Sequence, residues 1–482
     1  MNYSVVIYIL GWIMEIEAAF LTLPGIVSAI YGEKGGFAFL WVALGSAVAG
    51  SIIILRKPKN MRFYLREGFV TVALSWILMS VIGCLPFVIN GDIPHFADAL
   101  FEMISGFTTT GATVVSDVEG LTKGSLFWRS FSHWIGGMGV LVFLLAIVPM
   151  AGGSHMNLMK AESPGPSVGK LVPKVRQTAK YLYIIYFALT VIEVIFLLFG
   201  GMNLFEALTT SFGTAGTGGF AIWNDGFVNV SPYNQWVVTI FMLLFGVNFG
   251  FYFLILTGKL RDALKFEEVR IYFIIVIASA VFIFINLRHF ALYAPVEGIR
   301  QAFFQVASII TTTGFASADF NLWPETSRTI LVLLMFIGAC AGSTGGGIKV
   351  SRFIIACKSF IKEIISYLHP RSVKKIKIEG KPLEHETLRA TNVYFMTYMV
   401  IFAVSVLLVS VENKDLVTNF AAVAATFNNI GPGLSLVGPM ANFGHFTDFT
   451  KYILMFDMLA GRLEIFPMLL LFCPAVWKRR RA

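Results

Sequence analysis

Residues 300–316 read RQAFFQVASIITTTGFA: an apolar run of about half the length a bilayer-crossing helix needs, then three threonines and a glycine. Three companions share that plan: DALFEMISGFTTTGAT at 98–113, FEALTTSFGTAGTGGF at 205–220 and LVTNFAAVAATFNNIGPG at 416–433. Between the second and third, ALTTSFGTAGTGGF and AFFQVASIITTTGF align without a gap. The reference glycines Gly111, Gly219, Gly314 and Gly431 are separated by 108, 95 and 117 residues, the mark of an internal repeat. Each repeat reads as a helix, a short re-entrant helix, a glycine turn and a second helix. One copy alone is equally a helix C-cap and turn; four at matching places point to a common task.

The surroundings fix the setting. The chain has 482 residues, 56% hydrophobic and 13% charged, whereas soluble domains carry about 45–50% apolar and about 25% charged residues. That excludes a cytosolic enzyme, and 46 phenylalanines exclude disorder. Long unbroken apolar runs exclude a barrel of short alternating strands. Ten candidate spans fall near 5–30, 37–55, 69–90, 126–150, 181–200, 235–257, 271–292, 328–357, 393–411 and 451–477. The N-terminus lacks a basic n-region and reads as a retained first helix. Cys84, Cys340, Cys357 and Cys473 have no CxxC spacing and read as embedded hydrophobes. The expected class is an all-α polytopic membrane protein.

Charge gives orientation. Twenty-eight of the 37 Lys and Arg residues fall in 56–67, 150–180, 258–270, 349–389 and the tail from 478; eight fall on the other side and Arg462 inside a span. The asymmetry places both termini in the cytoplasm and explains the net charge of +9 without nucleic acid.

The turns suggest their own chemistry. Non-helical chain survives in a bilayer only where protein buries it or a watery cavity lines it. Four turns converging on one axis can present rings of carbonyl oxygens that replace the hydration shell of an alkali cation. Glycine lets the backbone approach the ion, threonine adds a hydroxyl lone pair, and the re-entrant helices aim their negative C-terminal ends at the axis.

TTTGAT, TTTGFA and NNIGPG, with SHWIGGMGV at 132–140, resemble the Trk/Ktr/HKT superfamily of potassium uptake proteins, over nearly the whole chain. Two extra helices before the first repeat resemble the TrkH branch rather than the shorter KtrB branch. The resemblance implies four M1–P–M2 repeats around a central pore in each subunit of a homodimer in the bacterial inner membrane, and a nucleotide-binding, TrkA-type ring of RCK domains as cytoplasmic partner. Repeats are expected at 68–160, 161–265, 266–375 and 376–482, after two N-terminal helices and a basic loop in 1–67. By motif, the K⁺ selectivity filter falls on Thr109, Thr110, Gly111; Thr217, Gly218, Gly219; Thr312, Thr313, Gly314; and Asn429, Ile430, Gly431. It is simpler than TVGYG, so Rb⁺ and some Na⁺ are expected to share the path. No cofactor is implied beyond K⁺ as cargo.

The eighth span is interrupted by Ala341-Gly342-Ser343-Thr344-Gly345-Gly346-Gly347. Glycine costs about 1 kcal/mol against alanine in a helix, so four within six residues unwind it. The resemblance makes residues 342–347 a gate beneath the filter; a passive kink for close packing is the alternative. Arg462 lies in the final span, where burial of an arginine costs at least ~2.5–3.5 kcal/mol on insertion scales. Asp457 and Glu464 are poorly spaced partners, so its side chain is expected to face the pore below the filter; a structural ion pair is the alternative. Lys349 either guards the pore or, slightly favoured, snorkels to the cytoplasmic interface. Glu102 and Glu206 either add negative potential at the mouth or bond within the helix packing.

Segments 151–180, 258–270 and 358–392 are candidate surfaces for the partner; the last also suits anionic lipid headgroups, or is merely a solvated loop. An enzyme reading lacks support: the seven histidines are scattered, and HExxH, GxSxG and GxxxxGK[ST] are absent. A Na⁺- or H⁺-coupled symporter of the same fold is the alternative within transport, with no buried acid chain evident for a proton relay.

Overall fold

Apolar runs this long, in lipid, can satisfy their backbone groups only as helices. The computed structural model describes residues 1–59, 64–147, 175–369 and 375–478, and contains nineteen α-helices among them. The boundary expected at 160/161, most of the 151–180 surface, residues 370–374 of the basic segment and Arg479–Arg481 lie outside the described residues.

Two helices, α1 (Tyr3–Ile30) and α2 (Gly36–Leu55), precede the repeats. The first repeat holds α3 (Leu65–Asn90), the short α4 (Phe96–Phe107) and α5 (Lys123–Ile147). The second holds α6 (Val175–Phe199), short α7 (Leu204–Gly216), α8 (Pro232–Phe245) and α9 (Phe249–Leu256), followed by the single turn α10 (Leu260–Leu264). The third holds α11 (Glu267–His289), short α12 (Pro295–Ile310), α13 (Glu325–Ile337) and α14 (Val350–Leu368). The fourth holds α15 (His385–Val409), short α16 (Leu416–Phe427), α17 (Asp448–Arg462), α18 (Phe466–Leu471) and α19 (Pro474–Trp477). A two-stranded antiparallel hairpin, Lys377–Ile378 with Lys381–Pro382, lies between α14 and α15. Lys358 ties it down, reaching Lys377 O at 2.7 Å and the Glu267 carboxylate at 2.5 Å.

Local chemistry sets where the short helices begin. Asn203 and Glu206 form a reciprocal capping box on α7, at 2.9 and 3.2 Å. Asp415 caps α16 through Thr418 N at 3.0 Å, and Pro295 opens α12. With 12 to 16 residues these helices reach about 18–24 Å, short of the ~30 Å hydrocarbon core.

Among the described residues six helices are long and apolar enough to cross a membrane, or seven if α8 and α9 count as one span. That pair bends by 88°, so the span expected at 235–257 is broken at Gly246–Asn248. The span expected at 328–357 stops at Ile337 and resumes at Val350, wider than the glycine run alone. The span expected at 451–477 breaks at Leu463–Ile465, where Glu464 and Ile465 adopt φ of 62° and 69°. Among the described residues the second helix is therefore discontinuous in the second, third and fourth repeats.

The chain ends meet. The Met1 ammonium donates to Lys478 O at 3.2 Å and the Tyr3 ring stacks on Trp477, so both termini share one face.

Candidate functional site: a ring of four turns

All four short helices end in the same hydrogen-bond pattern. The amides of Thr110, Gly218, Thr313 and Ile430 reach back to Ser105, Gly213, Ser308 and Ala425 at 2.8–2.9 Å, and those of Thr109, Thr217, Thr312 and Asn429 to Gly106, Thr214, Ile309 and Thr426 at 3.0–3.1 Å. Closure of this Schellman type needs a left-handed residue after the helix. Thr109, Thr217, Thr312 and Asn429 supply it with φ of 54°, 54°, 58° and 55°. A β-branched residue there is strained by about 1–3 kcal/mol, which surrounding packing must offset. Two residues on, Gly111, Gly219, Gly314 and Gly431 take φ of 77° to 96°. The sequence singled out these four residues along with the glycines, but not their left-handed conformation.

The turns are neighbours in closed cyclic order. A Cβ built on Gly431 would stand 2.6 Å from Thr110 O. One on Gly111, Gly219 or Gly314 would press still closer to the carbonyl of Gly218, Thr313 or Ile430 respectively. Each glycine thus admits the carbonyl that precedes the next glycine, and the fourth contact returns to the first turn. Those four carbonyls accept no hydrogen bond among the described residues, although each belongs to a buried residue. Buried carbonyls are nearly always paired, so four unpaired ones meeting in a ring suit a cation.

Most of the hydroxyls brace the turns. Thr108 pairs with Thr110 and Thr311 with Thr313, each at 2.8 Å between hydroxyls, and Thr217 bonds Gly216 O at 2.6 Å. Asn429 Nδ2 donates to Thr110 Oγ1 and Met458 O, both at 2.9 Å, joining the fourth turn to the first and to α17. Tyr398 on α15 donates to Asn428 Oδ1 at 3.0 Å. His133, from the SHWIGGMGV stretch, has Nδ1 2.8 Å from Gly106 O, and its Nε2 accepts from Phe220 N at 3.1 Å. It therefore spans the first and second turns.

Arg129, counted on the lysine- and arginine-poor side by sequence, is buried. Its guanidinium meets the Glu102 carboxylate at 2.7 Å and covers the Phe220 ring, its carbon 4.2 Å from the centroid. Glu102 also accepts from Thr113 Oγ1 at 3.0 Å and Val114 N at 3.1 Å, just past the first glycine. Glu102 and Glu206 thus take the bonding role. An arginine inside LFWRSFSHW was itself a signal worth following. Removing one partner of a buried pair costs about 3–5 kcal/mol. Arg129→Met is accordingly expected to lower the thermal unfolding midpoint of the purified protein; an unchanged midpoint would show that the pair contributes nothing.

On one side of the ring the four glycines floor an open cavity, walled by residues such as Arg129, Phe220 and Phe443. On the other side, Gly345, Gly346, Gly347, Lys349, Arg462 and Glu464 line a second, smaller cavity. Here the interrupted helices meet. Cys340 N bonds Gly246 O at 3.1 Å and Phe249 N bonds Gly342 O at 3.0 Å, so two breaks satisfy each other's backbone. Glu268 accepts from Ala341 N at 2.7 Å and Ser351 N at 3.0 Å, clasping both ends of the glycine stretch. The loop touches the third turn, with Gly346 N donating to Thr312 Oγ1 at 2.6 Å.

Arg462 donates to Thr344 O at 2.8 Å and to Gly136 O at 2.7 Å, holding the loop against α5. No ion pair to Asp457 or Glu464 is formed by it among the described residues. Glu464 pairs instead with Arg352, whose guanidinium carbon lies 3.9 Å from the Tyr394 ring centroid. Lys349 corrects the favoured reading: it is buried and donates to Gly345 O, so it does not snorkel.

A family model described as TrkH, cation transport protein, matches residues 37–479. The chain is 37% identical over 491 residues to the Trk system potassium uptake protein TrkH of Escherichia coli strain K12, covering 99% of this chain and 100% of that protein. It is 34% identical to the TrkH of Halomonas elongata, again across 99% of this chain and all of the relative. Among solved structures, the crystal structure of the potassium transporter TrkH from Vibrio parahaemolyticus superposes with a TM-score of 0.88 at 33% identity, covering 99% of this chain and 100% of that one.

Proposed function

From the premise that the chain belongs to the TrkH family of cation transport proteins, we propose that it takes up potassium through the ring of four turns. The observation that carries this reading is the cyclic contact of the turns, with their unpaired buried carbonyls between two cavities. A K⁺ ion enters the larger cavity, exchanges water for the carbonyls of Thr110, Gly218, Thr313 and Ile430, and is favoured there by four converging helix C-termini. Residues 342–347 obstruct the path beneath and withdraw to open it, with Arg462 as their anchor. Lys349 and Arg462 outnumber Glu464 on the wall of the lower cavity, and Glu464 is itself paired with Arg352, so the positive charge there disfavours a resting cation while the loop is in place.

The repeats run 68–160, 161–265, 266–375 and 376–482. The face shared by Met1 and Lys478 is cytoplasmic, since the lysine- and arginine-rich segments lie there. Two copies assemble as a homodimer, and a TrkA-type RCK ring regulates them from that face. Segment 258–270 and the hairpin beside α14 are its docking surface, because α14 leads directly into the glycine loop.

The test is ⁸⁶Rb⁺ uptake into proteoliposomes against competing cations. Uptake suppressed strongly by K⁺ and weakly by equal Na⁺ is expected. No uptake above empty vesicles, or equal suppression by both ions, would overturn the reading.

A further inference from the structure

The residues two places before the ring glycines share one backbone conformation but use their side chains in four ways. Thr109 Oγ1 is buried without a hydrogen-bond partner. Thr217 Oγ1 serves its own turn through Gly216 O, and Asn429 Nδ2 braces the first turn and α17. Thr312 Oγ1 accepts the Gly346 amide at 2.6 Å. Among the described residues, the third turn alone is hydrogen-bonded through its side chain to the glycine-rich loop. The contact is close on every side. A Cβ at Gly346 would meet Asn428 O and Asn429 Cβ at 2.9 Å, and one at Gly345 would meet Thr311 O at 2.9 Å.

A threonine hydroxyl has two lone pairs. While Gly346 N–H occupies one, that lone pair cannot face an ion, and the amide holds the loop against the ring. We propose that Thr312 is a positioning residue coupling obstruction to ion recognition: its hydroxyl anchors the loop through Gly346, and when the loop withdraws the freed oxygen joins the ion's ligands at the lower edge of the ring. The inference rests on the filter-and-gate reading and adds to it a mechanical link that makes flux and ion preference change together.

The test uses the full chain in proteoliposomes, with ⁸⁶Rb⁺ uptake and backbone hydrogen exchange over residues 338–349. Thr312→Val deletes the acceptor and keeps the branched shape; Thr312→Ala does so in a smaller side chain should the first variant fail to fold. Faster exchange across 338–349 is expected in either, by about fivefold, the scale of one neutral hydrogen bond, and the Rb⁺/Na⁺ uptake ratio should shift with it because the same deletion removes an ion ligand. Thr312→Ser retains an acceptor and should restore slow exchange. Because Arg462→Ala weakens the same obstructed arrangement through separate bonds, the double variant should exchange faster than either single variant. Unchanged exchange, or faster exchange with an unaltered Rb⁺/Na⁺ ratio, would overturn the coupling. An altered Rb⁺/Na⁺ ratio with exchange untouched would also overturn it, as a role confined to the ring. The ring reading itself fails in a different variant, Gly314→Ser, so the two failures are distinguishable.

Discussion

Gly314→Ser should lose most ⁸⁶Rb⁺ uptake, or its discrimination against Na⁺, while the protein still folds and elutes as the wild type does. Two constraints act at this position. The φ of 83° lies where an L-residue pays about 1–2 kcal/mol. The added Cβ would also stand 2.9 Å from Pro432 Cδ and closer still to Ile430 O, which must move away. Ile430 O is one of the four carbonyls that the proposed path offers to the ion. A hydrogen bond to a charged group is worth about 1.5–3 kcal/mol, and a displaced ion ligand of similar value reduces occupancy or throughput about 10–100-fold. A folded variant with wild-type uptake and wild-type Rb⁺/Na⁺ ratio would remove the ring from the permeation path.

Arg462→Ala should act in the opposite direction. Its guanidinium makes two charge-assisted bonds, to Thr344 O and Gly136 O, that clamp the glycine loop to α5. At about 1.5–3 kcal/mol each, their loss destabilises the obstructed arrangement by at least about tenfold. The substitution also removes a positive charge from the wall of the lower cavity, which favours the cation further. Uptake without any partner should therefore rise at least about tenfold in a folded variant. Unaltered or reduced uptake would deny Arg462 the anchoring role.

The parts of this molecule legible in its sequence are those where local backbone chemistry leaves no choice. A turn with φ near 80° against another chain segment admits only glycine, so Gly111, Gly219, Gly314 and Gly431 mark the repeat in plain view. In the eighth span Gly342 and Gly347 take φ of 69° and 73°, while a Cβ on Gly345 or Gly346 would meet neighbouring atoms at 2.5 and 2.9 Å. The breaks at Gly246–Asn248 and Leu463–Ile465 were not legible, since one glycine or none precedes the bend. At Gly246–Asn248 another break supplies the partners, as Gly342 O does for Phe249 N, and at Leu463–Ile465 the Glu464 side chain pairs with Arg352; both arrangements are tertiary. Lys349 was misread for a related cause. Four methylenes predict snorkelling only if an interface is in reach, and here Gly345 O offers a nearer partner. Glu102 and Arg129 stand 27 positions apart, and no periodicity joins them.

Because one polypeptide supplies all four quadrants, a codon change reaches the ion once rather than four times. A homotetrameric channel meets any replacement in quadruplicate, and most such changes are ruinous. Here the asparagine-isoleucine pair of the last quadrant sits beside three threonine-bearing ones. On the proposed path, mutation can therefore retune permeation by quarter steps, each quadrant drifting under its own selection so long as its glycine is kept.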